Sequence, residues 1–572
     1  MIYNDIRSVI LAGLEVLQAA GVVPQGVDLS AVVVEAPKEA SHGDLATNAA
    51  MVLAKPAGKA PRVIAEALAE ELRKDARIAA VEVAGPGFVN IRLQPEVLLA
   101  EAAEVMAAGR EYGKAGISGG RKALVEYVSI NPTGPVHVGH GRNAVFGDAI
   151  AALLEKAGFP VYREYLVNDA GNQIRVLVRS LHARYRQLFG EDVAVPADGY
   201  PGEYLVEIAE ALKARDDDKW LAVTDENELF EGLRAFAVEK CLAMIQADME
   251  TLGIRFDNYF SEHAMHQTGA MDEVVAMLRE KGLVYEGTLP PPKGKEVADY
   301  QPVELTLFRA TAFGLPEDQA VYNREGRPTY FGQDIAYHWN KFRRGYDYLP
   351  VVIDVRQVGS AKPLGFAVEA MTGKSGVYQP VLYEMVNVMR DGVPVKLSKR
   401  AGNIVALKDV LEEIGSDAFR FSMLTVKPTT IMVFDLAKAA EKTMENPVFY
   451  VQYAHARLCA VRRMATEAGL MLPEVSAGQG AARVKPAAAA VLKQVMLYPA
   501  VVEQAARKLE PHRLAFYAQE LAGAVHSWYA DEKFVDADDL VATSVRLQVA
   551  DAARVVLADA LRVCGVSAPE RM

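Results

Sequence analysis

The sequence predicts a multidomain α/β protein, with a central parallel sheet, a small α/β domain before it and an all-α helical bundle after it. Three observations carry this. At 572 residues the chain is too long for one hydrophobic core, so roughly three or four domains are expected. From Leu124 to Leu166 it reads strand, glycine-bearing loop, amphipathic helix, strand, a βαβ unit whose strands lie parallel. From Asp435 onward the pattern is helical and rich in Ala and Leu, with one Gly- and Pro-bearing gap from Gly469 to Pro486.

Composition narrows the class. Hydrophobic residues make up 51% and charged residues 24%, ordinary for a soluble globular protein. The net charge of −12 excludes a surface coated for nucleic acid, so any RNA binding must come from local basic patches and shape. Cys241, Cys459 and Cys564 stand alone, which argues against a disulfide framework or a structural metal and fits a reducing compartment. No stretch reads as a membrane span. The apolar run Ile10–Val23 is broken by Glu15 and Gln18 and lacks a basic start, so it reads as a helix rather than a signal peptide. Cytoplasm is expected.

Residues 1–110 read as the small α/β domain. A helix from Ile6 to Ala20 leads to a strand-like Val32-Val33-Val34, then helices over Ala49–Leu53 and Pro61–Asp75, and strands over Val81–Ala84 and Phe88–Leu93. His42-Gly43-Asp44 reads as a turn and helix cap, with Asp44 or Thr47 accepting backbone N–H bonds, rather than as a catalytic cluster. Tyr112 to Gly120 is a Gly-rich linker.

The central domain, residues 120–434, opens with a buried strand and then Ile130-Asn131-Pro132-Thr133-Gly134-Pro135, where two prolines and a glycine stop regular structure. His137-Val138-Gly139-His140-Gly141-Arg142 follows at the start of a helix marked by Ala144, Val145, Asp148, Ala149, Ala152 and Leu153. A helix N-terminus offers unpaired N–H groups and a positive dipole end to phosphate, and Gly139 lets a base or ribose lie against the backbone. Two imidazoles three residues apart can both donate to phosphate oxygens. An ordinary loop with two neighbouring histidines is the plainer reading.

A helical insertion is expected over about 175–280, its Arg175, Arg179, Arg184 and Arg186 forming either a solvated surface or a basic patch. Pro290 to Lys295 is a loop and Val303–Phe308 is β-rich. A helix from Tyr330 to Arg344 presents Tyr330, Asp334 and His338 on one face. Far downstream, Lys396-Leu397-Ser398-Lys399-Arg400-Ala401-Gly402-Asn403 places three cations in five residues before Gly-Asn. It reads as a polyphosphate clamp or as a solvated charged turn. Helices follow over Asp409–Ile414 and Asp417–Phe421.

His-x-Gly-His paired with Lys-Leu-Ser-Lys resembles the two signature motifs of class I aminoacyl-tRNA synthetases. The text around them narrows this further. Val125 to Arg142, Asn168-Asp169-Ala170-Gly171-Asn172-Gln173, Tyr330 with Asp334 to His338, Asn446 to Arg457 and the terminal Gly565 to Met572 are similar to arginyl-tRNA synthetases of the bacterial type, in order and over nearly the whole length. The resemblance implies a class I Rossmann-like sheet, an N-terminal additional tRNA-binding domain and an anticodon-binding bundle over 435–572. It implies ATP-dependent activation of L-arginine and transfer to the terminal adenosine of tRNA-Arg, with Mg²⁺ accompanying ATP and a monomeric protein.

Site roles follow from the same resemblance. His137, His140, Lys396 and Lys399 would be catalytic, and Gly139 and Ser398 would join them around ATP. Glu126, Asn131, His137, Tyr330 and Asp334 would hold arginine, whose planar guanidinium suits the Asp334 carboxylate; an acid favoured by a helix dipole is the plainer reading of Asp334. Tyr450, Tyr453, Arg457 and Met572 would touch tRNA. Tyr450, Tyr453 and His455 with Arg457, Arg462 and Arg463 supply the stacking groups and cations that single-stranded RNA needs, and the two tyrosines read equally as packing. One segment departs from the family. After the strand ending at Val355 the family reads Trp-Gly-Ala-Asp-His, whereas this chain has Arg356-Gln357-Val358-Gly359-Ser360-Ala361-Lys362-Pro363. The alternative function is therefore a catalytically impaired paralogue that binds tRNA or arginine without charging.

Overall fold

The computed structural model describes every residue except Ser30, Lys38, Ala40, Ser41, 291–302 and 396–404. The chain divides into two compact units: Met1–Ile117 with Lys156–Gly158 and Lys442–Met572, and Ser118–Glu155 with Phe159–Glu441.

In the second unit the five-stranded sheet has the spatial order Tyr378–Tyr383, Leu349–Asp354, Ala123–Glu126, Val161–Val167, Asn258–Ser261, and every pairing in it is parallel. The connections run outward from the central strand Ala123–Glu126 in both directions. A crevice therefore opens at the carboxyl ends of the central strand and Leu349–Asp354, the position where such sheets take ligands. The helix Val138–Lys156 returns the chain from the central strand to Val161–Val167. Asn258–Ser261 lies inside the stretch read as a helical insertion, yet it is the sheet's edge strand. Its few partly buried residues carry too little alternation to mark it. The insertion proper is helical over Asn172–Gln187, Tyr204–Asp216 and Glu226–Thr251.

Core packing dictates small residues on the helix Val138–Lys156. A Cβ on Gly147 would lie 2.1 Å from Cγ of buried Tyr127, and one on Gly141 would lie 2.7 Å from the Phe419 ring. The helix thus beds directly on the strand end that carries the site.

In the first unit a four-stranded sheet, ordered Val34–Glu35, Leu45–Thr47, Phe88–Leu93, Ile78–Ala84, is antiparallel throughout. Four long helices, Pro447–Glu467, Pro486–Lys508, His512–Asp531 and Leu540–Val563, form the C-terminal bundle. Asp44 is no helix cap. Its Oδ2 accepts the Leu93 N–H at 2.6 Å, and Oδ1 pairs with Lys493 of the bundle at 2.7 Å. Thr47 does accept the Ala49 N–H at the next helix start, at 3.3 Å. The acid serves a long-range ion pair that local turn chemistry could not reveal.

Candidate active site

The central strand ends at Glu126, and the next two residues take an unusual turn. Val128 and Ser129 have φ of 66° and 40°, a left-handed region that a β-branched residue adopts only when its surroundings enforce it. The enforcement is visible. Asn143 Oδ1 accepts the Val128 N–H at 2.6 Å, Ser129 Oγ accepts the Leu166 N–H at 3.0 Å, and Asn168 Nδ2 donates to the Ser129 carbonyl at 3.2 Å. Tyr165 Oη donates to the Ile130 carbonyl at 2.7 Å. Asn131 Nδ2 then donates to Gln173 at 2.7 Å, joining two motifs that lie far apart in the chain.

His137 directly precedes the helix Val138–Lys156, and His140 lies in its first turn. Their rings stack with centroids 3.4 Å apart and planes 20° apart. Each ring faces the other's backbone: His140 N–H donates to His137 Nδ1 at 3.3 Å. A Cβ on Gly139 would sit 3.1 Å from His137 Cε1, so the glycine makes room for the stacked ring. The basic run with Lys396, Ser398 and Lys399 lies outside the described residues, as does the loop from Pro291 to Lys295. The chain that follows the basic run is described. Ala406 bridges His137, and the Leu407 N–H donates to the Val136 carbonyl at 2.8 Å.

The helix Tyr330–Arg343 starts at Thr329, whose hydroxyl accepts the Gly332 N–H. Asp334 is half-buried one turn in. Burial and the neighbouring Glu126 carboxylate push its carboxyl up to about 7. Among the described residues it makes no ion pair, which leaves an acid poised for a cation. His338 is buried, its Nδ1–H donating to the Asp334 carbonyl at 2.8 Å, and its Nε2 has no partner among the described residues. Burial holds its ring neutral, well below the usual histidine range. Tyr330, the first residue of the helix, stands 84% exposed.

Glu126 is buried and doubly held, by Lys341 Nζ at 2.5 Å and by Ser129 Oγ at 3.1 Å. Beneath it, the fully buried Glu164 takes both arms of Arg344 at 2.6 and 2.7 Å, with Tyr337 Oη at 2.8 Å. Sequence reasoning missed Lys341, Glu164 and Arg344, and also Asn143. The signal was present for two of them: Lys341 and Arg344 lie seven and ten residues after Asp334, near its side of the helix.

The departing segment is orderly. Asp354 accepts the Arg356 N–H and is forked by its guanidinium at 2.7 and 2.6 Å, and a helix runs from Val358 to Thr372 straight through Pro363. Gln357 and Lys362 are exposed. No group of three or more His, Cys, Asp or Glu gathers among the described residues to hold a metal.

In the bundle, Tyr450 and Tyr453 are half-buried against His526, with ring centroids 4.6 and 5.9 Å away. Arg457 lies over the Tyr453 and Tyr529 rings at 4.4 and 4.8 Å. His455 is buried and paired with the Pro569 carbonyl at 2.9 Å. Met572 is exposed. Of the insertion's arginines, Arg175 lies over Phe230, Arg179 pairs with Asp198 and Arg186 with Glu191.

Comparison with known proteins identifies the family. Three family models match in order: the arginyl-tRNA synthetase N-terminal domain over residues 5–93, the class I (R) tRNA synthetase catalytic domain over 101–459, and the DALR anticodon-binding domain over 451–572. The chain belongs to the arginyl-tRNA synthetase family. An arginine–tRNA ligase of Ruegeria pomeroyi is 43% identical, and one of Cereibacter sphaeroides 45%, each alignment spanning 100% of both chains. The solved arginyl-tRNA synthetase of Thermus thermophilus superposes with a TM-score of 0.77 over the full length of both chains at 22% identity, a likeness of fold.

Proposed function

We propose that this member of the arginyl-tRNA synthetase family is an arginine–tRNA ligase. It activates L-arginine with ATP and esterifies the 3′-terminal adenosine of tRNA-Arg. The observation that carries the reading is Asp334: a half-buried carboxylate with no ion-pair partner among the described residues, beside Glu126 at the end of the central strand, in a unit that also holds two stacked histidines at a helix start.

Arginine's guanidinium pairs with Asp334, and Glu126, Asn131 and Tyr330 complete the amino-acid site. Tyr330, exposed in the free chain, closes over the side chain on binding. An arginine carboxylate oxygen attacks the α-phosphate of ATP; the bond to the bridging oxygen of the β-phosphate breaks, giving arginyl-adenylate and pyrophosphate. The 2′-hydroxyl of the terminal adenosine then attacks the adenylate carbonyl and releases AMP. No protein nucleophile is required, since positioning and charge stabilisation carry the chemistry. His137 and His140 hold the triphosphate beside Gly139. Lys396, Ser398 and Lys399 serve the leaving pyrophosphate, supported by the bridge that brings Ala406, just beyond them, onto His137. Mg²⁺ enters with ATP as part of the substrate.

Residues 1–110 serve as the additional tRNA-binding domain, 120–434 as the catalytic domain and 435–572 as the anticodon-binding bundle, with Tyr450, Tyr453, Arg457 and Met572 as its tRNA contacts. The chain acts as a cytoplasmic monomer. Nothing in the comparisons favours the impaired paralogue left open by the departing segment. Charging of a tRNA-Arg transcript with labelled arginine and ATP tests the reading. Robust, arginine-selective charging beside a lysine control is expected, and tight tRNA binding without charging would overturn it.

A further inference from the structure

The helix that carries Asp334 also carries a cation into the same site. Lys341 lies seven residues on, its side chain sealed from solvent, with Nζ 2.5 Å from Glu126 Oε2 and 4.0 Å over the Tyr337 ring. The other oxygen of Glu126 accepts Ser129 Oγ at 3.1 Å. Both oxygens of Glu126 are therefore engaged by the protein itself, whereas Asp334 has no ion-pair partner among the described residues. A buried lysine is stable only when its charge is answered, and Glu126 answers it. With Glu262 also acting on Asp334, the site so arranged keeps negative charge in excess of its one internal cation.

We propose that Lys341 is a positioning and specificity-determining residue of the amino-acid site. Its ammonium keeps Glu126 in the lining of the site but out of competition for the guanidinium, so that Asp334 is left as the carboxylate an incoming guanidinium must answer. The inference rests on the arginine site proposed above and deepens it. The place beside Glu126, where a compact ammonium on a flexible stem would fit, is already taken by the protein's own lysine. Arginine is thereby favoured over lysine by occupancy as well as by fork geometry.

Electrostatics around Asp334 fit this arrangement. Glu126 from the central strand and Glu262 after the edge strand raise its carboxyl, Lys341 lowers it, and neutral His338 and Tyr378 complete its surroundings. Without the Lys341 charge, Asp334 would hold its proton to higher pH, and arginine would have to displace it.

The test is calorimetric binding of arginine and of lysine to full-length wild type, Lys341→Met and Lys341→Gln, across pH, with KM for ATP measured alongside. The glutamine variant keeps a donor toward Glu126 and guards against instability of the methionine one. Loss of the charge is expected to weaken arginine about tenfold or more, to narrow the arginine-to-lysine ratio, and to move the acid limb of binding upward while KM for ATP stays put. Wild-type arginine affinity, selectivity and pH profile in both variants would overturn the proposal, as would an equal loss for every ligand. Failure of the wild type itself to bind arginine is a separate result, which overturns the arginine site and with it the role of Lys341.

Discussion

The imidazoles of His137 and His140 lie face to face, 3.4 Å between centroids, at the first turn of the helix that leaves the central strand. Stacked in this way they present a paired edge to one ligand at the positive end of the helix. His140→Ala is expected to lower arginine-dependent pyrophosphate exchange, measured with tRNA present, by about two to three orders of magnitude. The melting temperature should stay near that of wild type, since both rings are only half-buried. Exchange at the wild-type rate would remove the histidines from the nucleotide site.

Asp334 makes the arginine site sensitive to pH. Its carboxyl, held at about 7 by burial and by Glu126, must be ionised to pair with a guanidinium. Arginine affinity should therefore rise as pH climbs through about 7 and level off above it. Proton release on binding, read by calorimetry in buffers of different ionisation enthalpy, checks the sign.

The same group costs stability. The folded chain keeps a proton that the unfolded chain loses near pH 4, so this contribution turns increasingly unfavourable from about pH 4 to 7 and stays so above. Asp334→Asn removes the ionisable group. It should stabilise the ligand-free protein at about pH 8 by roughly 1–2 kcal/mol while abolishing measurable arginine binding. A variant less stable than wild type there would contradict the account.

Lys156 and Asp559 form a nearly sealed ion pair at 2.7 Å in the first unit, with Tyr498 Oη donating to the same carboxylate at 2.6 Å. The ammonium also donates to the carbonyls of Arg110 and Tyr112 at 2.6 Å. Asp559→Asn keeps the shape and leaves the buried cation unanswered. The unit should lose about 3–5 kcal/mol in urea unfolding, and a loss below measurement error would show the pair to be neutral.

Gly147 faces the Tyr127 ring so closely that an added Cβ would lie 2.1 Å from Cγ. Gly147→Ala must push the ring or the helix away, at about 1–3 kcal/mol. Because Tyr127 follows Glu126 in the chain, arginine KM should rise as well. Unchanged stability and KM would mean that the packing relaxes freely.

Much of the second unit could be read from local signals. The Ala123–Glu126 strand, the breaking effect of Asn131 to Pro135, the helix after His137 and the parallel Val161–Val167 strand all follow from periodicity and turn chemistry within a short window. The edge strand Asn258–Ser261 escaped because a four-residue segment flanked by helices carries almost no period. The departing segment looked like damage to a ligand pocket. Folded, it is a capped turn at Asp354 and a continuous helix, since the Asp354–Arg356 fork supplies its own local partner.

By itself the sequence determined the family and the order of its matched domains. These depend on motifs whose members sit within a few residues of one another, where chain geometry leaves little freedom. Only the tertiary structure decided which charges meet. Glu126 finds Lys341, Glu164 finds Arg344 and Asp44 finds Lys493, each across a long stretch of intervening chain. Val128 and Ser129 are held in a left-handed turn by Asn143, Leu166 and Asn168 from other elements. A charge in sequence carries no sign of its partner, because pairing is set by where the packed core brings two side chains out of water. Asp334 is left without an ion-pair partner among the described residues for the same reason: the fold gave the nearby lysine to Glu126 instead.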